Sequence, residues 1–189
     1  CKRGEIDPLT GSWSQSVLSL LPPKDRVSQI EKLTSFIRHE YGVLPTTAFF
    51  YGQVWQPLFI SLLKNAGIDN VVISTYSSGD APLYRDAFWM NELGRKEKIY
   101  PLDDCVACLV EAYSKGEIKY QELKERVLKS LSEGDYDRTV FLNMDQLVLG
   151  RDREGEGEKP GNLVIDILSS FPTTLISDIP VHTPGYLPQ

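Results

Sequence analysis

The sequence predicts an α/β fold with a mostly parallel sheet. Apolar runs of strand length alternate along the 189 residues with helical patterns that end in glycine. The strand runs are continuously apolar, which indicates strands covered on both faces. Repeated β-α-β units form either a (β/α) barrel or a doubly wound sheet. In both, functional groups lie at the carboxyl ends of the strands.

The first part of the chain has regular patterns. A short apolar run predicts a strand at 6–9, and a helix is predicted from the Pro22–Pro23 pair to Gly42, with apolar residues at helical spacing. A strand at 47–52, a helix at 57–67 that ends at Gly67, and a β-branched strand at 71–75 follow.

The second part is less regular at its start. Residues 84–98 fit either a short helix or a hairpin, and 98–102 is typical of a strand. Helices are predicted at 105–116, 119–134 and 161–172, with strands at 139–149 and 173–180. The glycine-rich polar stretch 151–161 is predicted to be a mobile loop within a single domain of residues 1–189.

Composition and missing motifs exclude several functions. The net charge of -6 argues against binding to a nucleic-acid backbone. No apolar run is long enough for a membrane span, and no signal peptide is visible, so a cytoplasmic location is expected. No dinucleotide, phosphate-loop, serine-elbow or zinc-protease motif occurs, and no cofactor is predicted.

The chain contains three cysteines, one of which is its first residue. Cys105 and Cys108 form one C-x-x-C without a second pair, so no metal site is predicted. We expect them to lie on a buried helix face, with a redox role as the alternative. Because the chain begins with Cys1, we expect it to be a piece of a longer polypeptide, with a mature lipoprotein as the alternative.

Acidic and aromatic residues gather near the predicted strand ends. Paired carboxylates perform glycoside hydrolysis, and aromatic rings stack on sugars. The alternative is structural, since such aspartates cap helices and such tryptophans fill barrel mouths. The acids are Asp7, Asp103, Asp104, Asp145 and Asp178, and the aromatic residues are Trp13, Tyr51, Trp55, Tyr76 and Trp89.

Five blocks carry a resemblance to glycoside hydrolase family 57, which includes α-amylases, 4-α-glucanotransferases and branching enzymes. TAFFYGQVWQPLFISLLKNAG resembles the family's nucleophile block, roughly G-x-W-L-x-E-R-V-W-x-P followed by a helix. In order along the chain, GEIDPLTGSWSQSVLSLLPPKDRVSQI, KIYPLDD, TVFLNMDQLVLG and TTLISDIPVHTPGYLP resemble the other blocks. The resemblance implies a seven-stranded, TIM-like (β/α) barrel. The family's first strand, H-x-H-Q-P, is missing here, so the barrel is expected to be incomplete at its amino terminus.

The same resemblance shows where the chain departs from the family. The nucleophilic glutamate falls on Gly52 and the following arginine on Gln53, while Trp55 keeps the pattern. The general acid falls on Met144 without a gap and on Asp145 with a one-residue shift.

Elsewhere in the resemblance some family groups are kept and others are lost. Asp7 stands for a glutamate, and Tyr76 and Asp103 are retained. Gln15, Ser77 and Ala107 replace a glutamate, a histidine and an arginine. The implied substrate-binding set is Asp7, Trp13, Trp55, Tyr76 and Asp103.

Three hypotheses follow. The first is a catalytically impaired domain that binds an α-glucan or maltooligosaccharide or acts as a structural or regulatory domain. The second is an active hydrolase or transferase with relocated carboxylates, such as Asp7 and Asp145, or Asp103. The third is a protein-interaction scaffold without a sugar site, whose partner is another protein or the remainder of a longer chain. Burial of Trp13, Trp55 and Tyr76 would favour this third hypothesis.

Overall fold

The computed structural model describes residues 6–50, 52, 54–74, 87–133, 138–149, 162–181 and 183–184. The chain divides into two compact units. The first unit is Cys1–Leu102 with Thr174–Gln189, and the second is Asp103–Thr173. The single domain of residues 1–189 stays a prediction, and the predicted loop 151–161 lies outside the described residues.

The first unit contains a five-stranded sheet in the order β1-β2-β4-β3-β5. β1 and β4 both pair with β2 in parallel, β3 pairs antiparallel with β4, and β5 pairs parallel with β3. This confirms an α/β fold with a mostly parallel sheet, and the seven-stranded barrel stays a prediction. The strands are β1 (Thr47–Phe49), β2 (Asn70–Ser74), β3 (Phe88–Glu92), β4 (Arg95–Leu102) and β5 (Thr183–Pro184).

The pairing of strands decides two of the predictions for this unit. Of the two structures predicted for residues 84–98, the hairpin is confirmed over 88–98, because β3 and β4 are joined by Leu93 and Gly94, with φ of 51° and 80°. Positive φ at both turn residues matches the right-handed twist of the flanking strands. The strand predicted at 6–9 is wrong, because only Thr10 pairs there, with Ala48 of β1.

Both predicted helices of the first unit are confirmed. α1 (Pro23–Tyr41) begins at a proline, which needs no hydrogen-bond partner for its nitrogen, and ends at Gly42. Gly42 is left-handed, with φ of 67°, and its N–H donates to the Arg38 carbonyl. α2 (Phe59–Asn65) follows β1 and ends before Gly67.

The core of the first unit is built around β2, whose five residues are all buried. Fourteen buried apolar residues from α1, α2, the strands and their connections form one cluster. Each fully buried large side chain contributes roughly 1.5–3 kcal/mol. The cluster includes Ile30, Phe59, Leu63, Val71 and Ile99.

The second unit is helical in its described residues and consists of α3 (Asp104–Lys115), α4 (Tyr120–Ser132), α5 (Met144–Leu149) and α6 (Asn162–Ser170). Its core includes Val106, Val110, Tyr113, Leu123 and Leu163.

Two further strand predictions are wrong. The stretch predicted as a strand at 139–149 ends in the helix α5, because a short apolar run fits a buried helix as well as a strand. The strand predicted at 173–180 belongs to the first unit from Thr174 onward and contains the 3-10 turn Ile176–Asp178.

The expected burial of the C-x-x-C cysteines is also wrong. Cys105 and Cys108 are both exposed and free of disulfides. The buried face of α3 carries Val106, Val110 and Tyr113 instead, so the helix is rotated by about one residue from the predicted orientation.

Glu97 is a carboxylate buried inside the first unit. Its side chain has no exposed surface. Lys64 Nζ of α2 lies 3.3 Å from Glu97 Oε2 and 2.7 Å from Asp69 Oδ1. Desolvation by burial raises the pKa of Glu97 to about 7, while the Lys64 ammonium opposes part of that rise.

The shift predicts a pH-dependent stability. Because the folded pKa lies above the ordinary value of 4.5, Glu97 stabilises the fold most below pH 4.5, and this stabilisation is lost as pH rises through about 7. As pH rises from 4.5 to about 7, the free energy of unfolding of the Glu97→Gln variant should therefore increase relative to that of the native chain, by on the order of 3 kcal/mol in total. Urea unfolding at several pH values measures this difference.

The Lys64→Met variant provides the control. It removes the cation that favours the ionised carboxyl, so the stability of the Glu97 chain should continue to fall to a higher pH and by a larger total. If the free energies of unfolding of the Glu97→Gln variant and the native chain differ by the same amount at every pH, this account of Glu97 is contradicted.

Candidate functional site

Gly52 lies just beyond the carboxyl end of β1, where parallel sheets place functional groups. It is exposed, and its φ of 71° is in the left-handed region that favours glycine. The position that the family resemblance assigns to the nucleophile therefore lies at an accessible strand end.

The described side chains that a Cβ atom at Gly52 would contact are both apolar. A Cβ atom at this position would lie 3.7 Å from Val17 Cγ2 and 4.0 Å from Val54 Cγ2, which are ordinary van der Waals distances. There is room for a side chain, but these nearest described neighbours supply no acid, base or hydrogen-bonding group.

A pairing at the edge of the sheet places residues 12–17 near this strand end. The Thr10 N–H donates to the Thr47 carbonyl and the Phe49 N–H to the Thr10 carbonyl, each at 2.9 Å. Gly11 follows, and a Cβ there would lie 2.3 Å from the Phe49 carbonyl oxygen. Only glycine allows the backbone to approach β1 so closely.

Residues 12–16, which we call the serine turn, are hydrogen-bonded to α1. Gln29 Oε1 accepts hydrogen bonds from Ser12 Oγ at 3.2 Å and from the N–H and Oγ of Ser14, each at 2.9 Å. Gln15, which replaces a family glutamate, has a left-handed φ of 54°. The serine turn therefore has a defined conformation that presents Trp13.

Trp13 is 39% exposed. Its ring packs edge-on against Phe36 with centroids 5.4 Å apart, and Lys32 Nζ lies 5.0 Å from the ring centroid. Phe36 is also exposed, so the pair presents aromatic surface beside a cation. Such a surface can stack on a sugar ring and donate a hydrogen bond to its hydroxyls.

Trp55, which is also predicted to bind substrate, belongs to the core. It is 7% exposed, and its ring packs edge-on against Phe59 of α2 with centroids 6.0 Å apart. This burial leaves little of the ring open to a sugar.

The remaining residues of the predicted set do not gather around Gly52. Asp7 precedes Thr10, which runs parallel to β1, so Asp7 lies toward the opposite end of that strand. Its Oδ2 accepts a hydrogen bond from Ser177 Oγ at 3.3 Å. Tyr76 lies outside the described residues, as do Tyr51, Gln53 and Ser77.

Asp103 has structural partners in the second unit. Its Oδ1 accepts the Cys105 N–H at 3.0 Å, which caps α3, and its Oδ2 pairs with Arg138 Nη1 at 2.9 Å. Both side chains of the pair are largely buried. No local pattern in the sequence predicts Arg138, which lies 35 positions from Asp103.

Asp145, the candidate acid, is exposed in the first turn of α5, next to Met144. An acid in the first turn also stabilises a helix through its dipole, so this placement has a structural explanation as well. Ala107 lies within α3. Among the described residues no three acids, histidines or cysteines form a group that could hold a metal ion, and no helix is long and apolar enough to cross a membrane.

Comparison with known proteins decides the family. Residues 1–100 match the family model described as "Glycosyl hydrolase family 57". The chain belongs to glycosyl hydrolase family 57. Membership agrees with the resemblance carried by the sequence blocks, and the model match covers the Gly52 region.

Two relatives illustrate the similarity. The 4-alpha-glucanotransferase of Thermococcus kodakarensis is 28% identical over 148 residues, which are 76% of this chain and 22% of the relative. Alpha-amylase 1 of Dictyoglomus thermophilum is 29% identical over 105 residues, which are 53% of this chain and 15% of the relative. The chain thus spans about a fifth of the length of these relatives.

Solved structures agree with the fold. The crystal structure of 4-alpha-glucanotransferase from Thermococcus litoralis has a TM-score of 0.57 at 26% identity, covering 74% of this chain and 22% of that chain. An exo-type maltose-forming amylase from Pyrococcus sp. ST04 has a TM-score of 0.55 at 9% identity, covering 75% of this chain and 25% of that one. At that identity the second match supports the fold alone.

Gly11 provides a test of how the serine turn is placed. The Gly11→Ala variant should lose about 1–3 kcal/mol of stability, because its methyl group overlaps the Phe49 carbonyl. The Gly52→Ala variant should lose only about 1 kcal/mol, since its methyl group makes ordinary van der Waals contacts and only its left-handed backbone is strained. Chemical denaturation of both variants measures the difference, and equal losses would contradict the close approach.

Asp103 provides a second test, because its two roles can be separated. The Asp103→Ala variant should lose about 2 kcal/mol, since both the cap and the ion pair are removed. The Asp103→Asn variant keeps a capping oxygen and should lose about half as much. Thermal unfolding measures both, and an Asp103→Ala chain as stable as the native one would rule out this structural role.

Proposed function

We propose that this chain is an α-glucan-binding part of a glycosyl hydrolase family 57 protein whose nucleophile has been lost. The single observation that carries the proposal is Gly52, which stands at the nucleophile position and has only apolar nearest neighbours among the described residues. A covalent mechanism needs a carboxylate that attacks the sugar, and glycine cannot supply one.

The substrate class follows from family membership. The relatives are named for α-amylase and 4-α-glucanotransferase activities, both of which act on α-glucans. An α-glucan or maltooligosaccharide is therefore the ligand that we propose for this chain.

Trp13 is the residue that we propose for contact with sugar. It is partly exposed, held by the serine turn and flanked by Lys32, whereas Trp55 is buried. Asp145 is exposed and could donate a proton, but a proton donor alone does not replace the missing attack.

The finer fold assignment belongs to the same proposal. β1, β2 and β4 are parallel neighbours, and the chain continues from β1 into α2 and from β4 into α3, which suits a segment of a (β/α) barrel. A cytoplasmic location stays a prediction.

Binding is tested by titrating the chain with maltoheptaose in a calorimeter. Saturable heat is expected for the native chain, and Trp13→Ala should weaken binding about 3- to 10-fold, as expected for loss of one stacking contact. Tyr41→Ala is the matched control, because Tyr41 is an exposed aromatic residue at the far end of α1 and should leave binding unchanged.

Chromatography of the sugar after prolonged incubation tests catalysis. No shortened or lengthened products are expected. If the native chain forms such sugar products and the Asp145→Asn chain does not, the chain is an active enzyme with a relocated carboxylate. Absence of any saturable heat at millimolar sugar would show that the chain is a scaffold without a sugar site.

A further inference from the structure

Cys105 and Cys108 occupy one exposed face of α3 and have no part in the glucan proposal. Residues three apart on a helix are neighbours on its surface, and both thiols are exposed and free. The core contacts of α3 come from Val106, Val110 and Tyr113 instead. The structure thus presents two adjacent nucleophilic sulfurs to solvent.

Cys105 lies at the start of α3, where a side chain accepts the hydrogen bond of its backbone N–H. Cys105 is the second residue of α3, and its N–H donates to Asp103 Oδ1 at 3.0 Å. In the first turn of a helix an N–H has no intrahelical partner. The Asp103 side chain is therefore the described acceptor that fixes Cys105 in the helix.

Closing a disulfide here would require movement of that first turn. Helical neighbours three or four apart have Cβ atoms about 5–6 Å apart, whereas a disulfide needs about 3.5–4.5 Å. Cys108 lies one turn further into the helix, where backbone hydrogen bonds are satisfied. Cys105 is therefore the residue that should move, and this movement should break its hydrogen bond to Asp103.

We propose that Cys105 and Cys108 form a reversible dithiol–disulfide pair that exchanges with small-molecule disulfides, and that closing it releases the Asp103 cap of α3. The thiolate of one cysteine attacks a sulfur of the small disulfide and expels one thiolate. The second cysteine then attacks the resulting mixed disulfide and expels the other. The protein loses two protons and two electrons, and the small disulfide becomes two thiols.

The pair differs from a structural disulfide. Exposed or strained disulfides are the readily reduced ones, used for regulation or exchange, so this pair should open again with a modest excess of a small thiol. Release of the cap would also disturb Arg138, because Asp103 Oδ2 holds that guanidinium at 2.9 Å. Oxidation would thereby weaken the second unit without a change in its core.

The first experiment counts thiols in a Cys1→Ser chain, in which Cys105 and Cys108 are the only cysteines left. The chain is treated with oxidised glutathione at mildly alkaline pH, quenched in acid, alkylated and weighed by mass spectrometry. Loss of both alkylation sites without a glutathione adduct, reversed by dithiothreitol, is the expected result. Stable glutathione adducts on either cysteine, covalent dimers or two unreacted thiols would overturn the proposal.

Two single variants serve as controls for this chemistry. In the Cys1→Ser chain, Cys105→Ser and Cys108→Ser each retain one exposed thiol, so each should accumulate the glutathione adduct that the native pair resolves. Since both side chains are exposed, both variants should fold. Equal adduct formation in the native pair and in the single variants would show that the thiols do not act together.

A second experiment tests the link to Asp103. Oxidation should lower the melting temperature of the Cys1→Ser chain by about 5 °C, in line with the loss of one helix cap from a unit of this size. In an Asp103→Ala background, where the cap is already absent, oxidation should lower it much less. An equal fall in both backgrounds would show that the disulfide acts without releasing the cap.

Discussion

The parallel pairing of β2 with β1 on one side and β4 on the other is the constraint on which the first unit depends. All five β2 residues are buried, and parallel strands need such cover because a helix or loop must return across a face of the sheet. The same pairing aligns the carboxyl ends of the three strands. It therefore also determines where Gly52 lies, and the pairing of Thr10 with Ala48 places the serine turn near the same end of β1.

Secondary structure was predictable where local sequence and tertiary packing agree. α1 begins with proline and is followed by glycine, and β2 contains a β-branched run. The 139–149 stretch has the same apolar character as a strand, yet its second half is α5. Packing of Leu147 into a helical core decides that outcome, and no local signal encodes it.

The sequence predicted where the candidate site lies, but it did not predict which residues contact the side chains assigned to that site. Motif spacing indicates that Gly52 replaces the nucleophile, and the structure places it at the expected strand end. Spacing could not show that Trp55 packs against Phe59, that Asp103 holds Arg138, or that the cysteines face solvent. Those facts depend on the rotation of a helix or on residues distant in sequence.

The central claim is that the covalent step of the family has been lost from this chain. It is tested most directly with an activated fluoro-sugar of the α-glucose series, which leaves a stable glycosyl adduct on a carboxylate nucleophile. A catalytically competent family member serves as the positive control. The account predicts that the intact mass of this chain stays unchanged while the control is labelled. A glycosyl adduct mapped to any aspartate or glutamate of this chain would contradict it.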